Sequence, residues 1–157
     1  MNPFDVDPTR LVDSVIALVI AFALALPLAW HREQTTRLLG LRTFPLVAVA
    51  SCSYVLLGAT ISAGDPDALS RIIQGLMTGI GFVGGGAILK SGGNIRGTST
   101  AAAIWATGGI GASVAYGRVD LAIAIAVITF LTFVVLTPVG DHIRDDDGAD
   151  GASDAPD

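Results

Sequence analysis

The chain has 157 residues, of which 52% are hydrophobic and only 15% charged, with a mean hydropathy of +0.65. Soluble domains carry about 25% charge, so a water-soluble globule is excluded. The formal net charge of -5 arises mainly from the C-terminal stretch. No basic patch with interleaved aromatics is present, and nucleic acid is excluded as a partner.

Five apolar runs follow in order: Val12 to Trp30, Phe44 to Ile61, Ile72 to Leu89, Thr98 to Ala115 and Leu121 to Pro138. Each holds about 18 to 20 residues, which as helix matches a hydrocarbon core of about 30 Å. An Arg or Asp at the centre of such a helix costs about 2.5–3.5 kcal/mol. Apart from Asp13 at its outer edge, the first run lacks Asp, Glu, Lys and Arg, as do the other four. The fold class predicted is an all-α integral membrane protein with five transmembrane helices. The start, Met1 to Thr9, is acidic, whereas a cleavable signal needs a basic n-region.

Asp7-Pro8 and Asp65-Pro66 mark two helix starts, because Asp caps the N-terminus and Pro is pre-set for the first helical position. Thr43 with Pro45 suggests a similar start for the second helix. Pro27, late in the first run, favours a kink. Cys52, the only cysteine, reads as a small buried hydrophobe; no internal disulfide is available to it.

Orientation follows from the basic residues near helix ends. One set of connections holds Arg32, Arg37, Arg42, Lys90, Arg96 and Arg144; the other holds Arg10, Arg71 and Arg118. Each member of the second set has an acid close by, Asp67 and Arg71 at the favourable i,i+4 spacing. The N-terminus is therefore expected outside and the C-terminus in the cytoplasm. Residues 1–139 form the membrane domain. Residues 140–157, rich in Asp, Gly, Ala and Pro, have little to bury and are expected to be a disordered acidic tail, either simply solvated or holding a partner or divalent cation.

The third run contains Gly75, Gly79, Gly81, Phe82, Gly84, Gly85 and Gly86. Pairs such as Gly75 and Gly79 let helix backbones approach closely, within one chain or in a homodimer. The alternative is a broken or re-entrant helix whose free carbonyls line a polar cavity. The next connection, Lys90 to Thr100, has glycines for a reversal and hydroxyls suited to capping the fourth helix. It reads equally as a plain connector or, with Lys90, Arg96 and the following helix start converging, as a site that would attract an anion, a lipid headgroup or a carboxylate. His31 and His142 have no partner at metal-ligand spacing, so no metal and no cofactor are expected. There is no Ser–His–Asp set, P-loop or HExxH motif, which argues against an enzyme. No acidic side chain lies deep in a run, which weakens a coupled carrier.

Several of these segments together resemble the MgtC/SapB family. Gly40-Leu41-Arg42-Thr43 resembles its AGLRT signature, and Gly79-Ile80-Gly81-Phe82-Val83-Gly84-Gly85-Gly86 its GIGFLGAG motif. Asn94-Ile95-Arg96-Gly97-Thr98-Ser99-Thr100, with Trp105, resembles its NVRGLTTAA-LW motif. The resemblance covers about residues 10 to 138. Where the family usually has Glu-Arg at the end of the first helix, this chain has His31-Arg32. Many members carry a cytoplasmic C-terminal domain, and in its place only the acidic tail is expected here.

The resemblance implies five membrane helices and a role in magnesium homeostasis or membrane energetics. It implies regulation through helix–helix contacts with a membrane partner such as the proton-translocating ATP synthase, in the plasma membrane of a prokaryote. The alternative is a channel or transporter for magnesium or another cation, built around the glycine-rich third helix. The residues expected to carry function are Arg32, Arg42, Thr43, Gly79, Gly81, Phe82, Gly84, Gly86, Asn94, Arg96, Gly97, Thr100 and Trp105. The arginines would contact lipid headgroups or the partner, and the glycines would permit close docking.

Overall fold

In the computed structural model, which describes residues 7–36, 40–91 and 94–150, four of the apolar runs are helical throughout, and the third is helical from Ile72 to Gly86, its last residue Leu89 opening a short strand. The elements are α1 (Pro8–Thr36), α2 (Thr43–Ile61), α3 (Pro66–Gly86), α4 (Thr98–Ala115) and α5 (Val119–Asp150). Between α3 and α4 lies a short antiparallel hairpin, β1 (Leu89–Ser91) and β2 (Asn94–Arg96), with Leu89 opposite Arg96 and Ser91 opposite Asn94. Three helical stretches are each long and apolar enough to cross a bilayer: Pro8–Gln34, Thr43–Ile61 and Val119–Leu136. α3 and α4 have 21 and 18 residues, a length fit to span, but Gly, Ser and Thr dilute their hydropathy. The chain is an all-α membrane protein of five helices.

Both Asp-Pro starts form as expected. Asp7 Oδ1 accepts the Thr9 N–H at 2.9 Å, and Asp65 Oδ1 accepts the Asp67 N–H at 2.9 Å. Each bond satisfies one of the N–H groups that a helix start leaves without an internal partner. α1 runs on through Pro27 as one helix. Thr43 and Pro45 do not cap α2; Arg42 occupies the cap position with no side-chain bond. Glu33 at the end of α1 serves instead: its Oε2 accepts the N–H groups of Gly40 at 3.2 Å and Leu41 at 3.1 Å. Helical bonding already starts there, with the Phe44 N–H donating to the Gly40 carbonyl at 3.2 Å. A carboxylate at that position also suits the positive end of the helix dipole.

α4 is the centre of the bundle and packs against all four other helices. Its residues Ala103, Ile104, Thr107, Gly108, Ile110, Gly111 and Val114 are buried. The core around it mixes small side chains with the fully buried Phe44, Leu28, Ile104 and Ile110. Ala21, Ala25 and Ala29 come from α1, Ala48 and Cys52 from α2, and Ala122 and Ala126 from α5. Many other large side chains face outward: Val15, Val19, Leu57, Ile123, Val127 and Leu131 are all exposed. Water does not drive helices together inside lipid, so contact is made where backbones approach closely. Gly111 shows this best, since a Cβ there would collide with the Ala48 carbonyl of α2.

Side chains at 35–36, 89–91, 94 and 137–150 are not among those described. α5 is helical as far as Asp150, into the stretch read from sequence as a tail; 151–157 lie outside the described residues, as do Arg37 and 92–93. The expected i,i+4 pair of Asp67 and Arg71 is absent. Among the described residues the ion pairs are Asp7–Arg10 at 3.4 Å and Arg118–Asp120 at 2.9 Å.

Candidate functional site

Two regions hold the residues singled out in the sequence. The first is at the end of the bundle where α1 stops and α2 and α4 begin. Residues buried on α1 recur as Ala21, Ala25, Leu28, Ala29 and Arg32, a stripe at three- and four-residue steps that carries Arg32 inward. Arg32 is only 6% exposed. Its Nε donates to Thr100 Oγ1 at 3.1 Å, and its Nη2 donates to Thr100 Oγ1 at 2.8 Å and Ser99 Oγ at 2.9 Å. The guanidinium carbon also sits 5.4 Å from the centroid of the Phe133 ring on α5, within range of a cation–π contact. His31 stacks on Phe133 at 6.1 Å and meets Phe130 edge-on at 5.7 Å.

One arginine thus binds three helices. The sequence reading gave it to headgroups or a partner; the structure turns it inside the bundle. Ser99 and Thr100 were expected to cap α4, yet they accept from Arg32, and α4 is entered through Gly97 with no side-chain cap. Gly97 has φ +91°, and a Cβ on it would collide with the Ala87 carbonyl. Only glycine fits that position without strain. The adjacent arrangement is complementary: Glu33, next in sequence, faces the start of α2 while Arg32 faces the start of α4.

The other two arginines expected to carry function lie elsewhere. Arg42 and Arg96 are exposed, before α2 and at the end of β2. Thr43 is half-buried as the first residue of α2. Asn94 pairs through its backbone in β2, and its side chain is not among those described. Ser99, His31, Glu33 and Phe133 were not singled out from sequence. The apolar-to-charged boundary His31-Arg32-Glu33 was the available signal, but only the fold shows which helices those side chains meet.

The second region is α3. It is one unbroken helix through its glycines, so the re-entrant alternative is not the conformation adopted. Of the glycines, Gly84 is buried and meets α4, where an added Cβ would lie 3.3 Å from the Ala101 carbonyl. A Cβ on Gly81 would lie 3.7 Å from Trp105 Nε1, whose side chain is 46% exposed. Gly75, Gly79, Gly85 and Gly86 would meet nothing within 4 Å. Phe82 is 85% exposed. Beside this open face, α2 and α3 border an apolar groove of about 460 Å³ lined by Val47, Ala50, Tyr54, Ile72, Gly75 and Gly79.

Among the described residues no group of three or more His, Cys, Asp and Glu could hold a metal ion. The arrangement offers close helix approach and hydrogen-bonded helix ends.

A family model described as the MgtC family matches residues 18–142. The chain is 33% identical over 130 residues to protein MgtC of Salmonella typhimurium, covering 83% of this chain and 55% of that protein. It is 33% identical over 129 residues to protein MgtC of Brucella abortus, covering 82% and 53%. An uncharacterized protein of Synechocystis is 30% identical over 132 residues, covering 84% and 56%. The chain therefore spans about half the length of the curated relatives it matches. No solved structure matches it. With the matched region containing α2, α3 and α4 whole, together with the Arg32 cluster, this chain belongs to the MgtC family.

Proposed function

We propose that the chain is a regulatory membrane protein that acts through helix–helix contacts with a membrane partner, in magnesium homeostasis or membrane energetics. The observation that carries this reading is the outward face of α3. Its glycines Gly75, Gly79 and Gly86 and its Phe82 are exposed on the bundle surface, where a second helix could approach their backbone. An exposed aromatic beside small residues is a docking pattern more than a pore lining. The proton-translocating ATP synthase is the partner class implied by the family resemblance. In this reading the N-terminus lies outside and the C-terminus in the cytoplasm, supported by the excess of basic residues at the Arg32 end, and the membrane is the prokaryotic plasma membrane that the family resemblance implies. There the exposed Arg42 and Arg96 are available to anionic lipid headgroups.

The competing reading is a cation channel built around α3. It is disfavoured by the continuity of α3, which keeps its carbonyls in helical hydrogen bonds rather than facing a polar path. Crosslinking from α3 in native membranes, with identification of what is captured, tests the docking reading. Capture of a membrane protein that is lost on Gly79→Leu is the expected result. Reproducible ion flux in liposomes holding only the pure chain would overturn the regulator in favour of the channel.

A further inference from the structure

We propose that the rim of the bundle carrying Leu41-Arg42 and Ile95-Arg96 selects anionic phospholipids, each arginine meeting a headgroup phosphate and each apolar neighbour the acyl region below it. This rests on the reading that sets Arg42 and Arg96 at headgroup level, and it names the lipid class those residues prefer.

The two dipeptides lie at the same end of the bundle. α1 stops there, Arg42 immediately precedes α2, and Arg96 closes β2 just before α4. All four side chains are exposed. In each pair an aliphatic residue directly precedes an arginine. Such a pair suits the boundary between acyl chains and headgroups, where an apolar group enters the hydrocarbon while a guanidinium stays at the surface. Trp30 marks that level independently. It ends the first apolar run and is exposed on α1 at this end, and tryptophans collect at headgroup depth.

The two ends of the bundle differ in where their cations find counter-charge. At the far end, Arg10 pairs with Asp7 at 3.4 Å and Arg118 with Asp120 at 2.9 Å. At the α1–α2 end, the guanidiniums of Arg42 and Arg96 make no ion pair and no hydrogen bond among the described residues. Glu33 is the carboxylate at this end among the described side chains, and it is turned to the Gly40 and Leu41 N–H groups. Exposed guanidiniums are stable in water as they stand; what they add is attraction for negative charge at the membrane surface. Exposed cations beside exposed aliphatic side chains complement a molecule that offers phosphate and acyl chain together. A soluble anion offers only the first.

The test places the full chain in bilayers of phosphatidylglycerol and phosphatidylcholine, equal in amount and matched in acyl chain, and counts the lipids retained on it by native mass spectrometry. Phosphatidylglycerol is expected to be retained in preference. Arg42→Gln and Arg96→Gln should each lower that preference about fivefold, and Arg96→Lys should keep most of it, because lysine still presents a cation to phosphate. Arg71→Gln, at the opposite end and one turn from Asp67, should leave it unchanged. Equal retention of the two lipids, or a preference untouched by both glutamine variants, overturns the proposal. So does a preference abolished by excess inorganic phosphate, which marks a site for a free anion. α5 also reaches this end with Asp145, Asp146 and Asp147. A preference that emerges only when all three are changed to Asn would make them the counter-charge and overturn the lipid assignment. Retention of neither lipid would sink the headgroup-level reading itself, whereas equal retention sinks only the selectivity.

Discussion

α3 and α4 are neighbouring glycine-rich helices in one bundle, and their glycines do opposite things. In α4, Gly108 and Gly111 are filled from outside: a Cβ on the first would collide with Ile80 and on the second with the Ala48 carbonyl. In α3, only Gly84 is buried against another helix. The same residue type therefore marks a completed contact in one helix and an open one in the other. Composition alone does not separate the two cases; the neighbours do.

The contrast can be broken by substitution, and the largest effect belongs to α4. Gly111→Leu forces α2 away from α4 and should cost about 3 kcal/mol or more, read as loss of folded protein in detergent unfolding. Arg32→Met removes three charge-assisted bonds between α1 and α4 and should cost about 2–4 kcal/mol. Arg32→Lys should rescue it only in part, because an ammonium cannot reproduce the guanidinium's fork. Gly79→Ala should act in the other direction. Its Cβ meets nothing, and Ala gains about 0.5–1 kcal/mol over Gly inside a helix. The same variant should weaken association through α3, so stability and crosslinking yield would move in opposite senses.

The smallest effect sharpens the comparison at the α2–α4 contact. Ser51 is buried, and its hydroxyl has no hydrogen-bond partner among the described residues. An unsatisfied buried hydroxyl contributes nothing that alanine would lose. Ser51→Ala is expected to be neutral or stabilising by up to about 1 kcal/mol, measured by the same unfolding assay. A loss of stability there would mean that close packing of the oxygen, rather than its polarity, matters to α2 and α4.

Much of the fold is legible in the sequence, because lipid imposes a length and a composition on each span. Each of the five runs lies in its own helix for most or all of its length, the third leaving it after Gly86, and Asp7-Pro8 and Asp65-Pro66 begin two of them. Helix ends are less legible. α1 reaches Thr36, beyond the apolar run that ends at Trp30, because charged residues at a membrane surface do not stop a helix. The site is the least legible part. Arg32 and Thr100 were both singled out, but their contact joins residues 68 apart in sequence, and hydropathy carries no information about such pairs. Glu33 was passed over for the same reason, since its partners are backbone N–H groups seven and eight residues away.

Arg32 and Glu33 are adjacent, yet one is directed at the start of α4 and the other at the start of α2. The order of these two letters is therefore a geometric instruction. Exchanging them, with Arg32→Glu and Glu33→Arg together, leaves composition, net charge and the topogenic count unaltered. It would nonetheless aim a cation at the amide protons of Gly40 and Leu41, and about 100° around the helix set a carboxylate where the guanidinium meets the Phe133 ring. A chain so altered should insert with the correct number of crossings and then fail to close its bundle, a defect that topology reporters would miss and a protease would find.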